Sequence, residues 1–241
     1  MNDLYDVLKE RALALWKAAR ILEEPVTVRA VALSTEEAIG NPEADDFPLQ
    51  KGKERLMQAD FGRGSGQAFT DRFGDFEGTL KEVLEMPLEN NYRRAVFIAT
   101  LNAALRHMGQ VRGTVHCRDQ EPKQCAAELA AQIKNRFGRV NIGQVGFQPR
   151  MVESLASEYP MRLLDLDPDN VGGRRFQVLV EGPEAADDVI AWADLLLVTG
   201  STLVNRTIER FLGKKPVLFY GTTVAGAAHL MGWDRFCARG H

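Results

Sequence analysis

Short apolar runs alternate with stretches of helical spacing through most of the second half of this chain. The clearest case is Leu195 to Val198, four apolar residues that run into Thr199-Gly200-Ser201-Thr202. After that turn, Leu203, Thr207, Ile208, Phe211 and Leu212 recur at helical spacing, so the stretch predicts strand, tight turn, helix. The same reading predicts strands over 111–117, 139–145, 161–167, 176–180 and 216–220. It places helices over 122–137, 149–158 and 184–192, and another around 227–230. Strands separated by helices make a mainly parallel sheet, so a Rossmann-like, doubly wound α/β domain is expected.

The first half has a different pattern. Leu4, Leu8, Leu15 and Leu22 mark an amphipathic packing helix over 3–22, and the branched residues of 26–33 mark a strand. Asn41-Pro42 and the acids of 43–46 suggest an exposed loop. A short helix over 78–86 ends near Pro87. A longer one over 91–108 carries Ala95, Ile98, Ala99, Asn102 and Leu105 close to one face. The change of pattern near 87–92 divides the chain into an α+β domain, 1–90, and an α/β domain, 91–241. Residues 51–71 stand apart, because Lys51, Lys53, Glu54, Gln67, Thr70 and Asp71 surround the glycines at 62, 64 and 66 with little apolar content after Phe61. They suggest a surface loop or, alternatively, a polar loop folded over the ligand edge of the second domain.

Composition narrows the function classes. The 241 residues, 45% hydrophobic and 26% charged, are those of an ordinary globular protein able to bury a core. A net charge of -3 without a basic stripe argues against a nucleic-acid surface. The longest apolar run, 95–101, is far too short for a bilayer, and the opening residues are acidic where a signal peptide is basic. A cytoplasmic protein with no membrane partner is expected, and a homo-oligomer is compatible with the sequence. The odd number of cysteines, Cys117, Cys125 and Cys237, points to reduced thiols.

Three constellations could carry chemistry. The turn Thr199-Gly200-Ser201-Thr202 could hold a ligand or merely cap a helix. His116 and Cys117 with Cys125 offer soft donors for a transition metal ion, and Pro122 as first helical residue places Cys125 where the helix dipole favours a thiolate. Against that, no C-x-x-C pair occurs, a continued strand would turn His116 and Cys117 to opposite faces, and buried small thiols are the plain alternative. Gly143-x-x-Gly146-Phe147-Gln148-Pro149, followed by Asp165 to Asn170, has the layout of a nucleotide site but lacks the first glycine pair. Asp165 and Asp167 on one strand face could bind a cation instead, or simply cap and turn the chain. His107, His229 and His241 are isolated, and no P-loop, G-x-S-x-G or H-E-x-x-H occurs.

KGKE at 51–54, GQAFTD at 66–71, TVHC at 114–117 with Glu121-Pro122 and Cys125-Ala126, VGFQP at 145–149, DLDPDNVG at 165–172 and VTGSTLVNRTI at 198–208 together resemble one family. It is the prokaryotic family of putative heavy-metal chelation proteins, which join an enolase N-terminal-like domain to a Rossmann-like domain. The resemblance implies a metal or small-molecule ligand between the domains. It places Lys53, Glu54, Gln67, Thr70 and Asp71 opposite Asn102, His116, Cys117, Gln148, Asp165, Thr199, Thr202 and Asn205. Gly146, Asn170, Gly200 and Ser201 complete the expected ligand-binding set, and His116, Cys117 and Cys125 the metal set. The chain departs from the family at Arg206, where glycine is expected. Two rival functions stay open: an enzyme acting on a phosphorylated or carboxylated molecule, with Lys53 and Glu54 as acid/base groups, and a nucleotide or S-adenosylmethionine binder using Gly143, Gly146 and Asp165.

Overall fold

The structure is a computed structural model that describes residues 3–30 and 55–241. The loop expected at 41–46, the end of the strand expected over 26–33, and Lys51, Lys53 and Glu54 lie outside the described residues. Helix α1 (Leu4–Ala19) starts on Asp3, whose carboxylate accepts from the Tyr5 N–H, and buries Leu4, Tyr5, Leu8, Ala12 and Trp16. Strand β1 (Pro25–Arg29) joins a four-stranded antiparallel sheet with β2 (Arg55–Phe61), β3 (Gly64–Thr70) and β4 (Phe76–Thr79), in the order β3-β2-β1-β4. A reciprocal cap between Thr79 and Glu82 starts the short α2 (Leu80–Glu85).

Residues 55–70, expected to form a loop, are instead the β2–β3 hairpin, paired from Arg55↔Thr70 to Phe61↔Gly64. The physical reason lies in the glycines. Helix α3 (Asn91–His107) rests its backbone directly on β3, so a Cβ at Gly66 would meet Ala103 N and stand 2.5 Å from Ala99 O. One at Gly64 would lie 2.6 Å from His107 N. Because a helix backbone replaces side chains on that face, the apolar alternation that marks a strand is missing. Helix α3 is in turn buried on all sides from Arg94 to Leu105 rather than along one face, as befits a helix at the centre of the core.

The rest of the chain builds a seven-stranded sheet. In chain order its elements are α4 (Glu121–Phe137), β5 (Ile142–Val145), α5 (Pro149–Ala156), β6 (Met161–Leu164), β7 (Arg174–Arg175), β8 (Val178–Glu181) and α6 (Ala186–Trp192). There follow β9 (Leu195–Thr199), α7 (Ser201–Val204), β10 (Val217–Tyr220), α8 (Ala225–Met231) and β11 (Arg235–Phe236). The order is β11-β10-β9-β5-β6-β8-β7, and only β7 runs antiparallel to its neighbour. Leu195 and Leu197 pack with α4 and α5 on one face, while Leu196 and Val198 pack towards α6 and α3 on the other. Among the described residues no helix is long and apolar enough to cross a membrane.

Several expected elements differ. Residues 111–117 form no strand. Instead Thr114 O accepts from Gln67 N, and Val115 and His241 exchange two backbone hydrogen bonds. The helix expected after β9 stops at Val204, because Asn205 Oδ1 accepts from Thr207 N–H and Arg206 turns left-handed at φ 64°, before a 3-10 turn over Ile208–Phe211. The β7–β8 hairpin turns on Phe176 and Gln177 at φ 49° and 68°, a conformation that usually advertises itself as Asn-Gly.

Candidate functional site

In the parallel sheet, β5 leads through α5 to β6 on one side, whereas β9 returns to the other side of β5. Loops leaving adjacent strands in opposite directions open a crevice at the carboxyl edge. A cavity of about 430 Å³ lies there. It is lined by the residues that follow β5 (Gly146 to Gln148), β6 (Asp165 to Asp167), β9 (Gly200 to Thr202), β10 (Gly221 to Thr223) and β11 (Cys237). Five neighbouring parallel strands, about 4.8 Å apart, make that edge roughly 19 Å long. Phe69, Thr70 and Asp71, at the end of β3, line the cavity as well.

The Asp165 carboxylate joins two loops: Oδ2 accepts from Phe147 N–H at 2.7 Å and Oδ1 from Asp167 N–H at 2.7 Å. Both acids follow β6 instead of sharing a strand face. Burial raises the Asp165 pKa, and the backbone N–H groups of Asp167 and Phe147 partly oppose that. Gly146, at φ 90°, passes so close to Thr199 that a Cβ would stand 2.7 Å from its methyl carbon. The Tyr220 hydroxyl donates towards Val145 O and Gly146 O and fixes the same loop. Gln148 lines the cavity while its Oε1 caps α5 through Met151 N–H. Thr202 Oγ1 donates to Thr199 O at 2.6 Å, and the Asp71 carboxylate accepts from Asn91 Nδ2.

At the other end stand His116, Cys117, Cys125 and Cys237. Gln67 Oε1 accepts from the His116 backbone N–H at 2.7 Å, and Thr114 Oγ1 donates to Ser65 O, so β3 holds this irregular segment. His116 Nδ1 lies 2.6 Å from Cys117 O. A carbonyl only accepts, so Nδ1 carries the proton and Nε2 keeps its lone pair. Burial keeps the imidazole below the usual histidine range and so neutral. Burial also pushes the Cys117 thiol upward and the Cys125 thiol up to about 11. Desolvation therefore outweighs the thiolate-favouring dipole expected at Cys125.

The structure brings most of the expected set to this cavity: Thr70, Asp71, His116, Cys117, Cys125, Gly146, Gln148, Asp165, Asn170, Thr199, Gly200, Ser201, Thr202 and Asn205. His116 and Cys117 both line it, since the strand that would have opposed them is absent. Gln67 and Asn102 do not. The Asn102 amide is consumed by Gln67 O, Thr222 O, Thr223 O and Gly226 N–H, so it joins the two sheets. Gly143 is an interior strand residue whose missing side chain admits Val189, Leu196 and Ala193. Among the described residues no group of three or more His, Cys, Asp or Glu side chains is arranged to hold a metal ion, so His116, Cys117 and Cys125 are not a ready-made cage. Sequence reasoning missed Cys237, Arg235 and Asn91. The strand β11 that brings Cys237 to the cavity has only two residues, too few to leave a pattern.

The model of the DUF364 family, described as putative heavy-metal chelation, matches residues 130–227. No curated protein matches the chain. Among solved structures, a DUF364 protein of unknown function from Pyrococcus horikoshii aligns with a TM-score of 0.57 at 15% identity, over 92% of this chain and 80% of that one. At that identity it shows a shared fold alone. Another DUF364 protein, from Desulfitobacterium hafniense DCB-2, aligns with a TM-score of 0.49 at 16% identity, over 73% and 72% of the two chains.

Proposed function

We propose that this chain, matched over residues 130–227 by the putative heavy-metal chelation family, binds a metal-containing small molecule in the cavity at the carboxyl edge of its parallel sheet. The observation that carries the reading is cavity size set against donor supply. About 430 Å³ is room for a small organic ligand, while the described residues offer no three-donor cage for a bare ion. A metal that enters with ligands of its own needs only one or two donors from the protein. His116 Nε2 and the thiols Cys117 and Cys125 are of the right softness to supply them. Thr70, Asn170, Thr199, Ser201, Thr202 and Asn205 would hold the organic part, with the Gly146 and Gly200 turns leaving it space.

Charge separates this reading from the enzyme acting on an anion. The described wall carries the carboxylates of Asp71, Asp165 and Asp167 against the guanidinium of Arg210, which favours a cationic or neutral occupant. Lys53 and Glu54 enter the proposal only through the family resemblance, as acid/base groups from outside the described residues. In the same proposal the antiparallel unit, 1–90, is enolase N-terminal-like, the parallel one, 91–241, is Rossmann-like, and the cavity is the cleft between them. The nucleotide reading draws on Asp165 beside the crevice, but both its oxygens already accept from turn amides.

Titration calorimetry with Zn(II), Cu(II) and Fe(III), each as chloride and as citrate complex, tests the reading. A citrate complex should bind more tightly than its simple ion, with native mass spectra showing metal and organic acid together. Binding of adenosine nucleotides with no response to any metal form would overturn it.

A further inference from the structure

Three thiols gather at one end of the cavity. Cys117 stands on the irregular segment after α3, Cys125 in the early turns of α4, and Cys237 directly after β11. They are close enough that charge on one disfavours charge on the others. Beside them Arg235 donates to the carbonyls of Gly221, Arg112 and Gly113 and to the Cys237 sulfur. No carboxylate among the described residues pairs with it. A partly buried guanidinium held by neutral oxygens is an uncompensated positive charge, which costs stability unless an anion forms beside it.

Soft-metal coordination by thiols supplies that anion. A monovalent ion taking two thiols follows M⁺ + 2 RSH → [M(SR)₂]⁻ + 2 H⁺, and a divalent ion taking three gives [M(SR)₃]⁻ + 3 H⁺. Either complex carries one negative charge, which one guanidinium balances. Building on the metal-binding reading above, we propose that Cys125 and Cys237, with Cys117 within reach as a third donor, ligate a soft d¹⁰ cation and that Arg235 neutralises the resulting thiolate complex. Thiolates select such ions over hard cations, which prefer oxygen. Two-coordinate binding needs no three-donor cage, in keeping with the absence of one among the described residues. The segments bearing Cys117 and Cys237 are tied to each other by the Val115–His241 backbone pair and by His241 Nε2 on Glu121 Oε2 at 2.9 Å. Any adjustment on binding would therefore move them together, leaving the sheet in place.

The test is anaerobic titration with Cu(I) against a chromophoric Cu(I) chelator, with proton release followed in weak buffer. Wild type should bind one ion and release two protons or more. Cys237→Ser should weaken binding at least about 100-fold and release one proton fewer, and Arg235→Gln should weaken it about 10-fold. Bound Cu(I) should also shield Cys125 and Cys237 of the unmutated protein from iodoacetamide, a readout that does not depend on the variants folding. Unchanged affinity in Cys237→Ser, or undiminished alkylation of Cys237, while metal citrates still bind, overturns this assignment and leaves the metal-binding reading standing. If neither Cu(I) nor any metal citrate binds, both fall.

Discussion

Arg206 sits where the family resemblance leads one to expect glycine, and its backbone shows why glycine suits the position. Its φ of 64° is left-handed, which costs a side-chain-bearing residue about 1–2 kcal/mol. The arginine recovers part of this by pairing with Asp3 and lying over the Tyr5 ring at 5.5 Å, contacts that join the turn after β9 to α1. Arg206→Ala keeps the strain and loses the contacts, whereas Arg206→Gly loses both. The glycine variant should therefore be more stable than the alanine variant by about 1 kcal/mol in urea denaturation. Equal midpoints would refute the strain. Asp165 makes a prediction in pH. Burial raises its carboxyl above the unfolded value near 3.9, so between those two values the native state holds more proton than the unfolded one. Stability must then rise as pH falls from 7 towards 4, measured against Asp165→Asn, in which this titration is gone. A fall over that range would show that the two amide hydrogen bonds outweigh burial.

Among the elements, β3 and α3 show what the sequence conveyed and what it hid. The helix was legible from its spacing, as were α1, α4, β9 and β10, because each keeps its period and its cap or proline. Strand β3 was not legible, since Gly64 and Gly66 give up their side chains to the backbone of α3 and leave nothing to alternate. The loops of the candidate site were legible for a related reason. Gly146, Asp165 and the Thr199–Thr202 turn directly follow strands that announce themselves, so the edge they share could be inferred. Cys237 depends on the two-residue β11, and Lys53 and Glu54 fall outside the described residues, so neither kind of evidence reaches them. Gly66→Ala gives the direct check on this packing. A methyl group facing helix backbone cannot be relieved by a rotamer change, so the loss should be about 3 kcal/mol or more, beyond the usual range for overpacking. A loss below about 1 kcal/mol would mean that α3 can lift off the sheet.

At the scale of the whole molecule, the question is whether two sheets make two cooperative units. One apolar cluster runs from Trp16 and Val28 through Phe97, Ile98 and Leu101 to Leu196, Val198 and Phe219, crossing both sheets without a break. Helix α3 is its common member, and Asn102 within it bonds Gln67 O on one side and Thr222 O, Thr223 O and Gly226 N–H on the other. Losing either sheet would expose an apolar face of α3 and leave buried amide and carbonyl groups unpaired, at about 1–3 kcal/mol for each such group. That penalty opposes any state in which one sheet survives alone, so unfolding should be a single transition despite the chain's length. The tryptophans supply the probe: Trp16 packs beneath the antiparallel sheet, and Trp192 and Trp233 belong to elements of the parallel one. In a Trp192→Phe, Trp233→Phe variant, fluorescence of Trp16 should follow the same urea midpoint as far-ultraviolet circular dichroism. Separate midpoints would mean that the sheets unfold independently and that the shared core contributes less than its continuity implies. The carboxyl-edge cavity, lined from both sheets, could then open without global unfolding.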